Sequence, residues 1–157
     1  MSTAVQPDST SPAATFPADV RDAVGRLAGV AERTPLQRNE RLSRATGADV
    51  WLKREDLQVG RSYKVRGAYN TISRLDDAAR AAGVVCASAG NHGQGVAHAC
   101  RVLGVRGAVF VPGTTPRQKR ARIRALGGRR LWEVPRQLGH PLAALESGGN
   151  PSPHPYP

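Results

Sequence analysis

Lysine and aromatic residues are rare in this sequence. Only three of its 23 basic residues are lysines, and aromatic side chains make up 4% of the 157 residues. The formal net charge of +11 at pH 7 would suit a nucleic-acid partner. The basic residues are nevertheless spread along the chain, and few aromatic rings accompany them to stack on bases. The composition therefore disfavours a specific nucleic-acid-binding function.

Long apolar runs and metal-binding cysteine patterns are also absent. No apolar run approaches the ~20 residues that span a bilayer, and the N-terminus has no basic start followed by an apolar stretch. Residues 1–16 are rich in Ser, Thr, Pro and Ala, which predicts a disordered tail. The two cysteines, Cys86 and Cys100, have no further ligands at metal spacing, so we expect buried, reduced thiols and no metal site. These features predict a soluble cytoplasmic protein without a membrane partner.

Alternating helix and strand patterns fill residues 17–128. Apolar spacing and stop signals predict helices at 17–33, 40–47, 65–83, 91–104 and 115–127, and strands within 48–56, 83–88 and 105–112. The last helix is expected to have Thr115 as N-cap, Pro116 at its first position and Gly127 as C-cap. Because the later strands and helices alternate with short connections, they predict parallel βα units and an α/β fold.

The regular pattern ends after Gly128. Residues 129–157 hold six of the twelve prolines and have no sustained hydrophobic period. The stretch "RLWEV" could form a strand stub, but Pro135 would end it. We therefore predict a poorly ordered tail over 129–157.

The stretch "SAGNHGQG", residues 88–95, lies between a predicted strand and a predicted helix. Backbone N–H groups and the helix dipole favour anions at such a junction. Its glycines run in the reverse spacing of a dinucleotide fingerprint, and the Gly-Lys-Ser/Thr of a P-loop is absent. A structural turn is the alternative, but a simple connector does not require the four polar side chains of this turn: Ser88, Asn91, His92 and Gln94.

Lys64, in "GRSYKVRGAYN", is a candidate reactive amine. A neutral amine can attack a carbonyl and form a Schiff base, which a guanidinium cannot do. That chemistry would explain a lysine at this position in an arginine-rich chain. A solvated surface charge is the alternative, since Lys53 and Lys119 are also lysines.

These two stretches carry a resemblance to a known family. "SYKVRGAYN" and "SAGNHGQGVA", together with "RTPL", "LKREDLQ", "VFVP" and "TPRQKRARIRALGG" in the same order, resemble the N-terminal part of the pyridoxal-phosphate-dependent threonine and serine dehydratases. The resemblance covers residues 17–128 and implies the fold type II architecture, which is similar to the tryptophan synthase β chain. The "GNHGQG" form favours the dehydratases over the cysteine-synthase branch, which has threonine where His92 stands.

The resemblance implies a role for each matching residue. Lys64 would hold pyridoxal 5'-phosphate as a Schiff base and act as the base at the substrate Cα. Asn91 would hydrogen-bond the ring hydroxyl of the cofactor, and Ser88 with the backbone N–H groups of Gly90 to His92 would bind the substrate carboxylate. The implied reaction is elimination of water from L-threonine or L-serine, followed by hydrolysis of the product enamine to 2-oxobutanoate or pyruvate and ammonia. The family also implies homo-oligomers and a role in isoleucine biosynthesis.

Part of the family pattern is missing from this sequence. The family's second glycine-rich loop, which binds the cofactor phosphate, and a later residue near the ring nitrogen have no counterpart. We therefore expect a truncated or frameshifted dehydratase with little activity alone: a tail at 1–16, the N-terminal part of the catalytic domain with most of its small domain at 17–128, and a divergent tail at 129–157. Two alternatives remain open, a nucleic-acid-binding module built on the basic residues of 117–130, and an inactive fragment that associates with another chain.

Overall fold

A computed structural model describes residues 12–128 and 130–134. The helices in this part of the chain are α1 (Pro12–Leu27), α2 (Glu40–Thr46), α3 (Lys64–Ile72), α4 (Asp77–Ala82), α5 (Asn91–Leu103) and α6 (Arg117–Ala125). The strands are β1 (Leu36–Arg38), β2 (Trp51–Lys53), β3 (Val84–Ala87), β4 (Gly107–Pro112) and β5 (Arg130–Val134), and a short 3-10 helix covers Glu55–Leu57.

The later strands form a parallel sheet in the order β3–β4–β5. Helix α5 connects β3 to β4, and α6 connects β4 to β5. Cys86 lies opposite Val109, which in turn lies opposite Leu131. The predicted parallel βα units, and with them the α/β fold class, are confirmed. Strands β1 and β2 form a separate antiparallel pair, of which the sequence pattern predicted only β2.

Two predicted helix ends are confirmed by glycines in the left-handed region. Gly47 (φ 69°) ends α2, and Gly104 (φ 67°) ends α5. Side chains with a Cβ rarely adopt this conformation, which is why glycine is common there. The start of α2 is also set locally, because the Asn39 side chain accepts a hydrogen bond from the Leu42 N–H at 2.9 Å.

The predicted limits of three helices were wrong. The single helix predicted over 65–83 is two helices, because the Asp76 side chain accepts the Ala79 N–H at 2.8 Å and begins α4. Helix α1 includes residues 12–16 of the predicted tail, with Pro17 inside it, and ends at Leu27. Helix α6 begins at Arg117 with Pro116 as its N-cap in place of the predicted Thr115, and its C-cap is Leu126 in place of the predicted Gly127.

The segment "RLWEV" is strand β5. It pairs in parallel with β4, from Ala108 opposite Arg130 to Pro112 opposite Val134. The prediction of a tail was therefore wrong for residues 130–134. These residues form a strand because they pair with β4, which the hydrophobic period of the sequence did not indicate. The remaining predicted tail residues, 1–11, 129 and 135–157, lie outside the described residues, and the three-part division of the chain stays a prediction.

The core lies between the parallel sheet and helices α3, α5 and α6. Its most buried side chains include Val111 and Ile123, both 0% exposed. Cys86 and Cys100 are free and buried as predicted, and burial raises the pKa of both thiols. The apolar stripe of α1, in contrast, is exposed at Val20 and Val24. Within the described part of the chain, no helix has both the length and the apolar character that crossing a bilayer requires.

Candidate functional site

The two stretches singled out in the sequence lie side by side. Helices α3 and α5 pack closely, and a Cβ added at Gly95 would lie 3.1 Å from the backbone carbon and oxygen of Lys64. The loop before Lys64 also touches this helix, since a Cβ added at Gly60 would lie 3.9 Å from the Cβ of Gln94, the residue before Gly95. Lys64 therefore begins its helix directly beside the segment of residues 88–95.

The side chain of Lys64 is exposed at the start of α3. Its Nζ lies 4.8 Å from the ring centroid of Tyr63, which is itself exposed. The backbone N–H of Lys64 donates to Ser62 Oγ at 3.2 Å. The amine is thus accessible to a ligand, while the backbone that carries it is held.

The 88–92 turn follows the carboxyl end of β3, the edge at which α/β proteins bind ligands. The Ser88 N–H donates to the Phe110 carbonyl at 3.0 Å, and Ser88 Oγ accepts the Gly90 N–H at 3.3 Å. Gly90 is the N-cap of α5 and has no side-chain capping bond. The N–H groups of the first turn of α5, where Asn91 and His92 are exposed, can therefore bind an anion.

A buried glutamine links this turn to the basic helix α6. Gln94, 5% exposed, accepts a hydrogen bond from Arg122 Nε at 3.1 Å and lies 3.5 Å from Asn91 Oδ1 through its Nε2. Ile123, the next residue of α6, is fully buried. Part of α6 thus packs against the site, and the sequence pattern had assigned Gln94 no role of its own.

A second cluster of polar side chains joins three of the sequence stretches quoted above: "RTPL", "LKREDLQ" and "SYKVRGAYN". Glu55 accepts two hydrogen bonds from Arg66, from Nε at 2.9 Å and from Nη2 at 2.8 Å. Thr34 Oγ1 donates to the same carboxylate at 2.6 Å. The side chain of Glu55 is only 16% exposed, and the hydrogen bonds from Arg66 are the main cause that lowers its pKa.

The backbone of residues 32–34 is held by the same cluster. Arg66 Nη2 donates to the Glu32 carbonyl at 2.8 Å. Gln58, 2% exposed, binds both the N–H and the carbonyl of Glu32, at 3.1 and 2.6 Å. Lys53 Nζ donates to the Thr34 carbonyl. Sequence reasoning missed this cluster, although "RTPL" and "LKREDLQ" supply most of its residues.

The Glu55–Arg66 pair predicts a pH-dependent stability. The pKa of Glu55 is lower in the folded chain than its ordinary value, so its contribution is present above that value and is lost as pH falls through the folded pKa. We expect Glu55→Gln to destabilise the chain by about 2 kcal/mol near neutral pH and much less in acid. Urea unfolding as a function of pH measures the difference.

Glu40→Gln is the matched control for this prediction. Glu40 also pairs with an arginine, Arg38, but its side chain is 60% exposed. Exposed pairs of this kind contribute roughly 0–1 kcal/mol. Equal losses of stability in the two variants, or a Glu55→Gln effect that does not shrink in acid, would contradict the prediction.

The structure is an α/β protein in which the exposed Lys64 begins a helix that packs against α5, the helix that follows the 88–92 turn. The family model of pyridoxal-phosphate-dependent enzymes matches residues 27–151. The chain therefore belongs to the pyridoxal-phosphate-dependent enzyme family, whose cofactor is pyridoxal 5'-phosphate. The match extends beyond residue 128, where the resemblance recognised in the sequence ended.

Curated relatives are similar to this chain over part of their length. The biosynthetic L-threonine dehydratase IlvA of Mycobacterium tuberculosis is 62% identical over 111 residues, which are 71% of this chain and 26% of that protein. The protein of the same name from Mycobacterium leprae is 56% identical over 126 residues, 80% of this chain and 30% of that protein. The chain thus spans less than a third of the length of these relatives.

Solved structures have the same fold. The processed form of threonine deaminase isoform 2 from Solanum lycopersicum superimposes with a TM-score of 0.71 and 37% identity, over 83% of this chain and 38% of that one. Serine racemase from Dictyostelium discoideum superimposes with a TM-score of 0.75 and 31% identity, over 83% and 42%. These neighbours confirm the fold type II class.

Proposed function

We propose that this chain supplies the cofactor-anchoring part of an L-threonine dehydratase. The observation that carries the proposal is the contact between the backbone of Lys64 and Gly95, which packs the helix start that carries the candidate amine against the helix that follows the candidate anion site. The names of the curated relatives support threonine as the substrate and a biosynthetic role. L-serine is the second substrate that the same chemistry would accept.

The residues at the site fit the family's cofactor. An exposed primary amine at Lys64 suits an aldehyde, and the exposed amide of Asn91 can hydrogen-bond a ring hydroxyl. When bound, pyridoxal phosphate supplies the electron sink that stabilises negative charge at the substrate Cα. Lys64 and Asn91 are therefore the proposed cofactor-binding residues.

The chain's own residues would orient the substrate and move its proton. Ser88 Oγ and the N–H groups of Gly90, Asn91 and His92 would bind the substrate carboxylate, because an uncapped helix N-terminus favours an anion. Held in this way, the Cα–H bond would lie within reach of the Lys64 amine, which must be neutral to accept the proton. Elimination of water across Cα and Cβ of L-threonine gives an enamine, and hydrolysis of the enamine by water gives 2-oxobutanoate and ammonia.

A chimeric enzyme tests the proposal. The segment of the Mycobacterium tuberculosis dehydratase that aligns with this chain would be replaced by the corresponding residues of this chain. We expect the chimera to release 2-oxobutanoate and ammonia from L-threonine, because the parts of the relative that this chain does not span are then present. Keto-acid and ammonia assays, run with L-threonine and with L-serine, measure the activity and the preference.

The matched control is the same chimera carrying Lys64→Ala. Loss of the catalytic base should lower the rate by at least ~10²-fold. A chimera that folds and retains bound cofactor but acts on neither amino acid would refute the proposed function. Preference for serine would refute the substrate while leaving the reaction intact.

Further features of the whole protein remain predictions. We infer a cytoplasmic location and homo-oligomers from the family alone, and little activity for the 157-residue chain by itself. The nucleic-acid alternative predicts DNA binding that persists at high salt, whereas any chain of charge +11 should bind weakly and only at low salt.

A further inference from the structure

At the start of α3, which carries Lys64, one local side chain binds the helix end: Ser62 Oγ accepts the Lys64 N–H at 3.2 Å. Tyr63 is the N-cap residue, and it makes no side-chain capping hydrogen bond. Helix ends without such a cap tend to fray. A lysine that must meet a carbonyl at a defined distance and angle needs a well-held backbone, and one local hydrogen bond from a serine fixes this turn less firmly than a bond to a charged group.

Arg66 lies two residues after Lys64 and ties the same turn to the rest of the fold. Its backbone N–H donates to the Tyr63 carbonyl at 3.0 Å, which closes the first turn of the helix. Its guanidinium then forms two hydrogen bonds to Glu55, on the short 3-10 helix, and one to the Glu32 carbonyl. A bidentate contact fixes direction as well as distance.

The partner of Arg66 is itself held in place. Thr34 donates to Glu55 Oε1 at 2.6 Å, and both residues are shielded from solvent, with Thr34 5% exposed and the Glu55 side chain 16% exposed. Between Lys64 and Arg66, the side chain of Val65 is 1% exposed and enters the core. On the α5 side, Gly95 lets the backbone of Lys64 approach so closely that an added Cβ would lie 3.1 Å from it.

We propose that Arg66, held by Glu55 and Thr34, is a positioning residue that sets the placement of the Lys64 amine. The inference rests on the proposed function, because it gives Lys64 the role of cofactor-binding amine. Arg66 does not touch the substrate or the cofactor. It acts through the backbone of the first turn of α3, so its loss should affect Lys64 far more than a lysine elsewhere on the surface.

The three lysines of the chain make this testable without catalysis. The 157-residue chain would be incubated with pyridoxal 5'-phosphate, reduced with borohydride at a series of times, and digested, and the pyridoxyl-lysine at each position measured by mass spectrometry. Lys119 is the internal reference, since it is exposed on α6 and distant in sequence from this cluster. Lys53 is not a reference, because it donates to Thr34.

In the unmodified chain we expect Lys64 to react faster than Lys119. Arg66→Met should lower the Lys64-to-Lys119 rate ratio on the order of tenfold. Thr34→Val, which removes only the hydroxyl contact to Glu55, should lower it less, and Thr34→Ser should restore it. The matched control is Arg38→Met, which breaks the exposed Arg38–Asp49 pair and should leave the ratio unchanged.

Each result decides between positioning and a general structural role. Selective loss at Lys64, with the helical circular dichroism retained and rescue by Thr34→Ser, supports the inference. An unchanged ratio in Arg66→Met, or no rescue by Thr34→Ser after a loss in Thr34→Val, overturns it. If Arg66→Met unfolds the chain, the Thr34 pair alone decides. If Lys64 reacts no faster than Lys119 in the unmodified chain, the proposed function of Lys64 fails, and this inference fails with it.

Discussion

Replacing Lys64 with alanine should abolish the change that the chain produces in the visible absorbance band of added pyridoxal 5'-phosphate. Lys64 is exposed, and its backbone lies against helix α5, which follows the 88–92 turn. Lys53 is already bonded to the Thr34 carbonyl, and Lys119 lies on another helix, α6. No substitute amine at the site is therefore expected, and titration of the absorbance with cofactor measures the loss.

Two further variants distinguish the chemistry of the amine from its charge. Lys64→Arg keeps a positive charge but cannot attack a carbonyl, so it should behave like Lys64→Ala. Lys119→Ala should behave like the unmodified chain. Cofactor absorbance that persists in Lys64→Ala and vanishes in Lys119→Ala would remove the basis of the proposed function.

Gly93→Ala should cause the largest loss of stability of any single methyl addition near the site. An added Cβ would lie 2.3 Å from the Ser88 carbonyl oxygen and 3.2 Å from Val109 Cγ1. The first neighbour is backbone in the tight 88–92 turn, so it cannot move without displacing the site. We expect a loss of about 1–3 kcal/mol or more, measured by urea unfolding, together with weaker cofactor binding.

Gly67→Ala is the matched control, because it adds the same methyl group within helix α3. A Cβ at Gly67 would meet no atom within 4 Å, and the residue is exposed. Alanine is favoured over glycine in a helix by roughly 1 kcal/mol, so this variant should be slightly more stable. If the two variants lost equal stability, the close approach at Gly93 would not be the cause.

The local signals in the sequence were sufficient for most of the elements. Gly47 and Gly104 predicted helix ends, because a helix often ends at a residue in the left-handed backbone region. The alternation of strands and helices after residue 83 predicted the parallel βα units. Asp76 was also a local signal, since aspartate is a common N-cap residue. The prediction did not use it and therefore joined α3 and α4 into one helix. Strand β5 was less predictable, because a short segment before a proline becomes a strand only when β4 is there to pair with it.

The candidate site was predicted only in part. The residue types and the glycine spacing pointed to Lys64 and the 88–95 turn, since an amine and an anion-binding helix start are properties of short segments. The Thr34–Glu55–Arg66 cluster was not predicted, although each residue belongs to a quoted motif. Glu55 lies 21 residues from Thr34 and 11 residues from Arg66. A local sequence pattern does not indicate contacts between residues this far apart.

By itself, the sequence determined the α/β class and the helix ends at Gly47 and Gly104, and it pointed to Lys64 as the candidate amine, because these inferences depend on hydrophobic period, backbone freedom and side-chain chemistry within a few residues. Only the tertiary structure decided that Lys64 lies against Gly95, that Arg66 reaches Glu55, and that the apolar stripe of α1 is exposed. Those outcomes depend on which segments pack together, and packing is a property of the whole fold.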